Sequence, residues 1–256
     1  MRLDLDAVLA AADARHIDAT LARRMVQTID LTSLNGDESE AEIEALCASA
    51  RSHGVAAVCV FPQALPVAAR CLAGSPVRLA TVVNFPAGGD DLAGTADAAA
   101  AGVAAGAGEI DIVAPLDATL EGDVGLTGEL ITLCRAATGP QATLKLILET
   151  GRLERPELIT AVARSAVMAG VDFLKTSTGK IPVGATPEAA ALLFAVAAEA
   201  EGKVGVKVSG GVRTARDARR YWQIGEAIMG DAWLAPNRFR IGASKLLDEL
   251  VGLGRS

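Results

Sequence analysis

Residues 143–178 read TLKLILETGRLERPELITAVARSAVMAGVDFLKTST. An apolar run (Thr143-Leu144-Lys145-Leu146-Ile147-Leu148-Glu149) gives way to an Ala-rich amphipathic stretch, then Gly170, then a second apolar run from Asp172. That order is one strand, one helix with a glycine stop, and the next strand. The unit recurs along the chain. Strands are expected to begin near Thr28, Val55, Leu79, Glu109, Thr143, Asp172, Val204 and Phe239, at spacings of 24 to 35 residues. Helix signals lie between them. Thr186 precedes Pro187 and Glu188, Thr214 precedes Ala215-Arg216-Asp217, and Gly54 and Gly202 stand where helices should stop, with His53 at a helix end.

Eight strands alternating with helices predict an α/β fold, a TIM (β/α)8 barrel. The barrel is expected over residues 28–250 of a single domain, with one or two extra helices in the Ala-rich residues 1–25. An open doubly wound sheet is the competing architecture, but no GxGxxG follows the first strand. The length of 256 residues suits one barrel, and 51% hydrophobic residues supply its core.

The net charge is −7, which argues against nucleic acid or an anionic membrane as the main partner. No apolar run is long enough to span a bilayer. The first residues, Met1-Arg2-Leu3-Asp4-Leu5-Asp6, carry acids where a secretory leader carries bases, so a cytoplasmic location is expected. Cys47, Cys59, Cys71 and Cys134 form no CxxC pair, and His16 and His53 are the only histidines. Free thiols, no metal site and no Ser-His-Asp triad are therefore expected.

Barrel strands are buried on both faces and should be apolar. Asp30, Asp111, Lys145, Lys175 and Lys207 interrupt that pattern. The chain holds 18 Arg and only six Lys, and three of those lysines fall inside strands. Unlike Arg, a buried Lys can lose its proton and act as an amine nucleophile toward a carbonyl. Lys175 and Lys207 sit at similar points on successive strands, so each should lower the other's pKa by charge repulsion. The same residues would also serve as structural ion pairs, each lysine with Asp111 or Asp30. The pattern leaves both readings open.

A phosphate signal is separate. Gly210-Gly211-Val212-Arg213 follows the seventh strand, and Gly242-Ala243-Ser244 follows the eighth and opens a helix. The loops after these two strands form the usual phosphate site of such barrels. Lys180, after Thr176-Ser177-Thr178-Gly179, adds a cation at that rim.

Six stretches together resemble the deoxyribose-phosphate aldolase family, metal-free Schiff-base aldolases with a TIM-barrel fold. They are Ile29-Asp30-Leu31-Thr32, Asn84-Phe85-Pro86, Glu109-Ile110-Asp111, 144–151 (LKLILETG), 172–180 (DFLKTSTGK), and Gly205-Val206-Lys207 with Gly210-Gly211-Val212-Arg213. The resemblance runs from about residue 28 to 247. It implies reversible cleavage of 2-deoxy-D-ribose 5-phosphate to acetaldehyde and D-glyceraldehyde 3-phosphate, without a cofactor. By the resemblance Lys175 is the Schiff-base nucleophile, Lys207 the lysine that holds it neutral, and Asp111 the proton-relay carboxylate. It makes Lys145, Asp30 and Thr32 a supporting polar network, and Gly179, Lys180, Gly210, Gly211, Gly242 and Ser244 the phosphate pocket.

The chain departs from the family pattern at Val208-Ser209, at Asp117 after the fourth strand and at Lys245 beside Ser244. These departures bear on the acceptor aldehyde. A Schiff-base aldolase with another aldehyde acceptor and a noncatalytic sugar-phosphate-binding barrel are the alternative readings. The expected partners are small sugar phosphates and aldehydes. A homodimer is the commonest symmetric assembly, though no sequence feature demands one.

Overall fold

The computed structural model describes Ala7 and residues 17–255. Most of the expected N-terminal helical extension lies outside the described residues. Its final part is α1 (Ala19–Gln27), capped by the Asp18 carboxylate, which accepts from the Leu21 amide at 2.8 Å.

Eight parallel strands close into a barrel in chain order. They are β1 (Ile29–Ser33), β2 (Ala57–Val60), β3 (Arg78–Val83), β4 (Glu109–Val113), β5 (Thr143–Ile147), β6 (Phe173–Lys175), β7 (Gly205–Ser209) and β8 (Phe239–Ala243). Between them run α2 (Glu40–His53), α3 (Leu65–Leu72), α4 (Leu92–Ala104), α5 (Leu116–Glu121), α6 (Gly125–Thr138), α7 (Pro156–Met168), α8 (Pro187–Glu199) and α9 (Ala215–Met229), and α10 (Leu246–Gly254) follows β8. The expected strands are all present. One placement differs. Gly242 and Ala243 do not follow the eighth strand but are its last two residues, because Gly242 pairs with Asp30 of β1 and Ser209 of β7 to close the barrel.

The helix signals act locally as read. The Thr186 hydroxyl accepts from the Ala189 amide at 3.1 Å, with Pro187 in the first turn of α8. Thr214 and Asp217 form a reciprocal capping box at α9. Gly54 ends α2 in the left-handed region, at φ 67°.

Side chains alternate across each strand. Ile29, Leu31, Val58, Val60, Leu79, Val83, Ile110, Ile112, Leu144, Leu146, Leu174, Val206, Val208, Phe239 and Ile241 belong to the large apolar cluster shared with the helices. Burying each such side chain contributes about 1.5–3 kcal/mol, so this outer layer is the main source of stability. The alternate set points into the barrel. There the usual branched aliphatic filling is replaced by charge: Asp30, Glu109, Asp111, Lys145, Lys175, Lys207 and Arg240 are all buried. A smaller apolar cluster of Leu34, Cys59, Ala80 and Val82 fills the side near β2 and β3.

Candidate active site

The charged interior is one connected network. The Lys145 ammonium lies 2.6 Å from Glu109, 2.9 Å from Asp111 and 3.3 Å from Asp30. The Lys207 ammonium lies 2.6 Å from both Asp30 and Asp111. The Lys175 ammonium lies 2.8 Å from Asp111. Arg240 closes the far end, 2.6 Å from Asp30 and 2.9 Å from Glu109. Strand register explains the convergence. Asp111 is level with Lys145 on β5, and Lys175 is level with Lys207 on β7.

The three strand lysines are not equivalent in this network. Lys145 and Lys207 are enclosed ion-pair partners with no solvent exposure. Lys175 retains 3% exposure and, alone of the three strand lysines, lines the cavity at the C-terminal mouth of the barrel.

Proton affinities separate accordingly. Burial is the largest influence on Lys175 and lowers its pKa; Asp111 opposes this, and the Lys207 ammonium adds to the lowering. Burial also disfavours the charged form of Lys207, but Asp111 and Asp30 outweigh it and hold that lysine above its ordinary value. The same balance, with Glu109 added, holds Lys145 well above the usual lysine range. For Asp111, burial is outweighed by Lys145, Lys175 and Lys207, and its carboxyl is held well below the usual carboxylate range. One amine of the cluster is therefore driven toward neutrality while two are locked as cations.

The mouth cavity has a volume of about 440 Å³. Gly179, Lys180, Gly210, Gly211, Gly242 and Ser244 all line it together with Lys175, and Arg213 and Lys245 join them. At two of these positions an added side chain would also crowd its neighbours. Gly210 has φ 83°, and a Cβ there would lie 3.2 Å from the Ser177 side chain. A Cβ on Gly242 would lie 2.9 Å from that of Ser209 and 3.2 Å from Cε of Lys207. The Lys180 ammonium donates to the Leu34 carbonyl, which ties the loop after β6 to the end of β1. Thr32 also lines the cavity, but its hydroxyl donates to the Asp30 carbonyl at 2.8 Å and makes no contact with the charged network. Asp117 lies elsewhere, exposed and paired with Arg152 at 3.3 Å. Among the described residues, no group of His, Cys, Asp or Glu is placed to hold a metal ion, and no helix is long and apolar enough to cross a membrane.

Sequence reasoning passed over three participants. Glu109 and Arg240 interrupt apolar strands just as Asp111 and Lys207 do, and each sits two residues before an inward-facing position already singled out. That parity was the available signal. Glu149, just beyond β5, accepts from the Thr178 amide at 3.3 Å and from the Thr178 hydroxyl, which anchors the loop after β6; burial raises its pKa.

A parallel eight-stranded barrel with a polar mouth at the strand C-termini is the architecture of barrel enzymes. Residues 24–247 match the family model of the DeoC/LacD family aldolases, and the chain belongs to that family. Among solved structures it is similar to a candidate deoxyribose-phosphate aldolase from Coccidioides immitis, at 28% identity over 96% of each chain with TM-score 0.81. It is also similar to an aldolase named QR15, at 29% identity over 89% of this chain and 96% of that one with TM-score 0.75. A deoxyribose phosphate aldolase from Aeropyrum pernix shares the fold at 24% identity, with 97% of each chain covered and TM-score 0.76. The protein is an aldolase of the DeoC/LacD family.

Proposed function

We propose that this aldolase works through a Schiff base on Lys175 and cleaves 2-deoxy-D-ribose 5-phosphate to acetaldehyde and D-glyceraldehyde 3-phosphate. The observation that carries the reading is the asymmetry among the three buried lysines: Lys175 alone opens on the mouth cavity and is pushed toward its neutral form. An ordinary lysine, pKa about 10.4, is neutral in only about one molecule in 10³ at pH 7.5. Lowering that pKa supplies the free amine that carbonyl attack requires.

In this reading Lys175 Nζ attacks C1 of the open-chain sugar, and the carbinolamine loses water to give an iminium. Loss of the C3 hydroxyl proton breaks the C2–C3 bond. The electron pair moves into the iminium and forms an enamine, and glyceraldehyde 3-phosphate departs. Protonation at C2 and hydrolysis then release acetaldehyde and regenerate the amine. Asp111, 2.8 Å from the amine, is placed to exchange protons with the carbinolamine and, through water, with the sugar hydroxyl. The glycine-rich rim of Gly179, Gly210, Gly211 and Gly242, with Lys180 and Ser244, takes the 5-phosphate.

Acetaldehyde with sodium borohydride tests the reading. One ethyl group should be fixed on the peptide containing Lys175, and deoxyribose 5-phosphate should be cleaved. Lys175→Arg keeps the charge but cannot form an imine, so it should lose both labelling and cleavage. Cleavage that survives in Lys175→Arg would refute the assignment and turn attention to Lys207.

A further inference from the structure

The buried network holds three carboxylates (Asp30, Glu109, Asp111) against four basic groups (Lys145, Lys175, Lys207, Arg240). The shares are unequal. Lys145 has three carboxylate partners, Lys207 and Arg240 have two each, and Lys175 has only Asp111, which it shares with Lys207. Arg240 lies at the end of the network away from the mouth cavity, stacks 5.6 Å from the Phe173 ring centre, and is 5% exposed. A guanidinium cannot give up its proton in a protein, so Arg240 permanently occupies Glu109 and one oxygen of Asp30.

We propose that Arg240 is a positioning residue for the Schiff-base lysine: its fixed charge leaves the barrel interior one carboxylate short, and Lys175 is the base left without a carboxylate of its own. The inference rests on the Schiff-base reading above. Charge neutrality inside the barrel is reached when Lys175 alone is deprotonated, and that is the state in which it attacks a carbonyl. Arg240 acts through Asp30, Glu109 and the other two lysines, without touching substrate.

The other ionisable groups facing the network leave this count intact. The Cys59 thiol of β2 is buried, with its pKa raised, and stays neutral. Arg78 at the start of β3 is half-exposed and 3.8 Å from Glu109, where solvent screens it. Glu149, beyond β5, has its carboxyl oxygens engaged by the Thr178 amide and hydroxyl, so it is not among the ion-pair partners of the network.

The test is the pH dependence of reductive labelling by acetaldehyde and cyanoborohydride, read by mass on the Lys175 peptide alongside pH profiles of cleavage. Arg240→Met leaves three carboxylates for three lysines. Its labelling midpoint should rise by at least one pH unit, an about tenfold loss of labelling below the midpoint. Glu109→Gln removes a carboxylate and should shift the midpoint the other way. Arg240→Met combined with Glu109→Gln restores the excess of one base and should return the midpoint close to that of the unmodified protein. Arg240→Lys should hold it there. A merely structural role would make both single variants worse in the same direction, and that outcome, or an unmoved midpoint in Arg240→Met, overturns the proposal. Should Arg240→Met fail to fold, Glu109→Gln and the double variant still report the sign. An unmodified protein that is not labelled at Lys175 overturns the Schiff-base reading itself, and the role of Arg240 with it.

Discussion

Lys175 and Lys207 stand level on adjacent strands, and both ammonium groups donate to a single oxygen, Oδ2 of Asp111, at 2.8 Å and 2.6 Å. Two like charges on one acceptor cannot both be fully compensated. Lys207 has a second carboxylate in Asp30, 2.6 Å away, and Lys175 does not. The strain of the pair therefore falls on Lys175, the member that opens on the cavity.

Lys207→Leu should raise the pKa of Lys175. Burial remains, but the repelling ammonium is gone and Asp111 is left to Lys175 and Lys145. The acidic limb of the pH–rate profile should move to higher pH, and activity near neutrality should fall by orders of magnitude with partial recovery in alkali. Inactivity at every pH would assign Lys207 a proton-transfer or substrate contact. An acidic limb that stays in place would leave burial as the sole cause of the depressed lysine.

Asp111→Asn should lower the cleavage rate by about 10²–10⁴-fold, the usual worth of a general acid–base group. The structure adds a second cost. Asp111 is bonded to all three buried lysines, and removing one partner of such a set costs about 3–5 kcal/mol. Thermal unfolding should therefore drop together with activity, while imine trapping at Lys175 survives. A normal rate in a destabilised variant would reduce Asp111 to an ion-pair role.

Ser244→Asp places a carboxylate among the glycines of the cavity rim. A rise in KM for deoxyribose 5-phosphate should dominate, with part of the loss in kcat because remote binding energy also positions the reacting carbon. Unphosphorylated deoxyribose should suffer far less. Equal losses on the two sugars would move the phosphate away from this rim.

Alkaline stability should respond to two buried thiols. Burial pushes Cys47 on α2 and Cys134 on α6 from 9.0 to about 11. The folded state thus favours the protonated thiols. Their contribution is complete below the unfolded value near 9 and is lost as pH rises through about 11. The thermal midpoint of the protein should fall across that window, and the Cys47→Ala, Cys134→Ala double variant should lose less over the same range. Parallel curves for the two proteins would assign the alkaline loss to other groups.

Much of this protein is legible along the chain. Short apolar runs, glycine stops and the caps at Thr186 and Thr214 are set by neighbours within a few residues, so they specify eight strand–helix units without reference to the fold. A charged residue in a doubly buried strand is costly wherever the strand ends up, which is why Asp30, Asp111, Lys145, Lys175 and Lys207 stand out. What the sequence could not decide was partnership. Lys145 and Asp30 are 115 positions apart, on strands that face each other across the barrel interior only because the sheet closes, and Arg240 likewise reaches Glu109 at 2.9 Å. Which ammonium has three carboxylates and which has one depends on strand register and barrel closure. The reactivity of Lys175 follows from that tertiary distribution of charge, since a pKa depends on distances in space and on exclusion of water, neither of which is fixed by position along the chain.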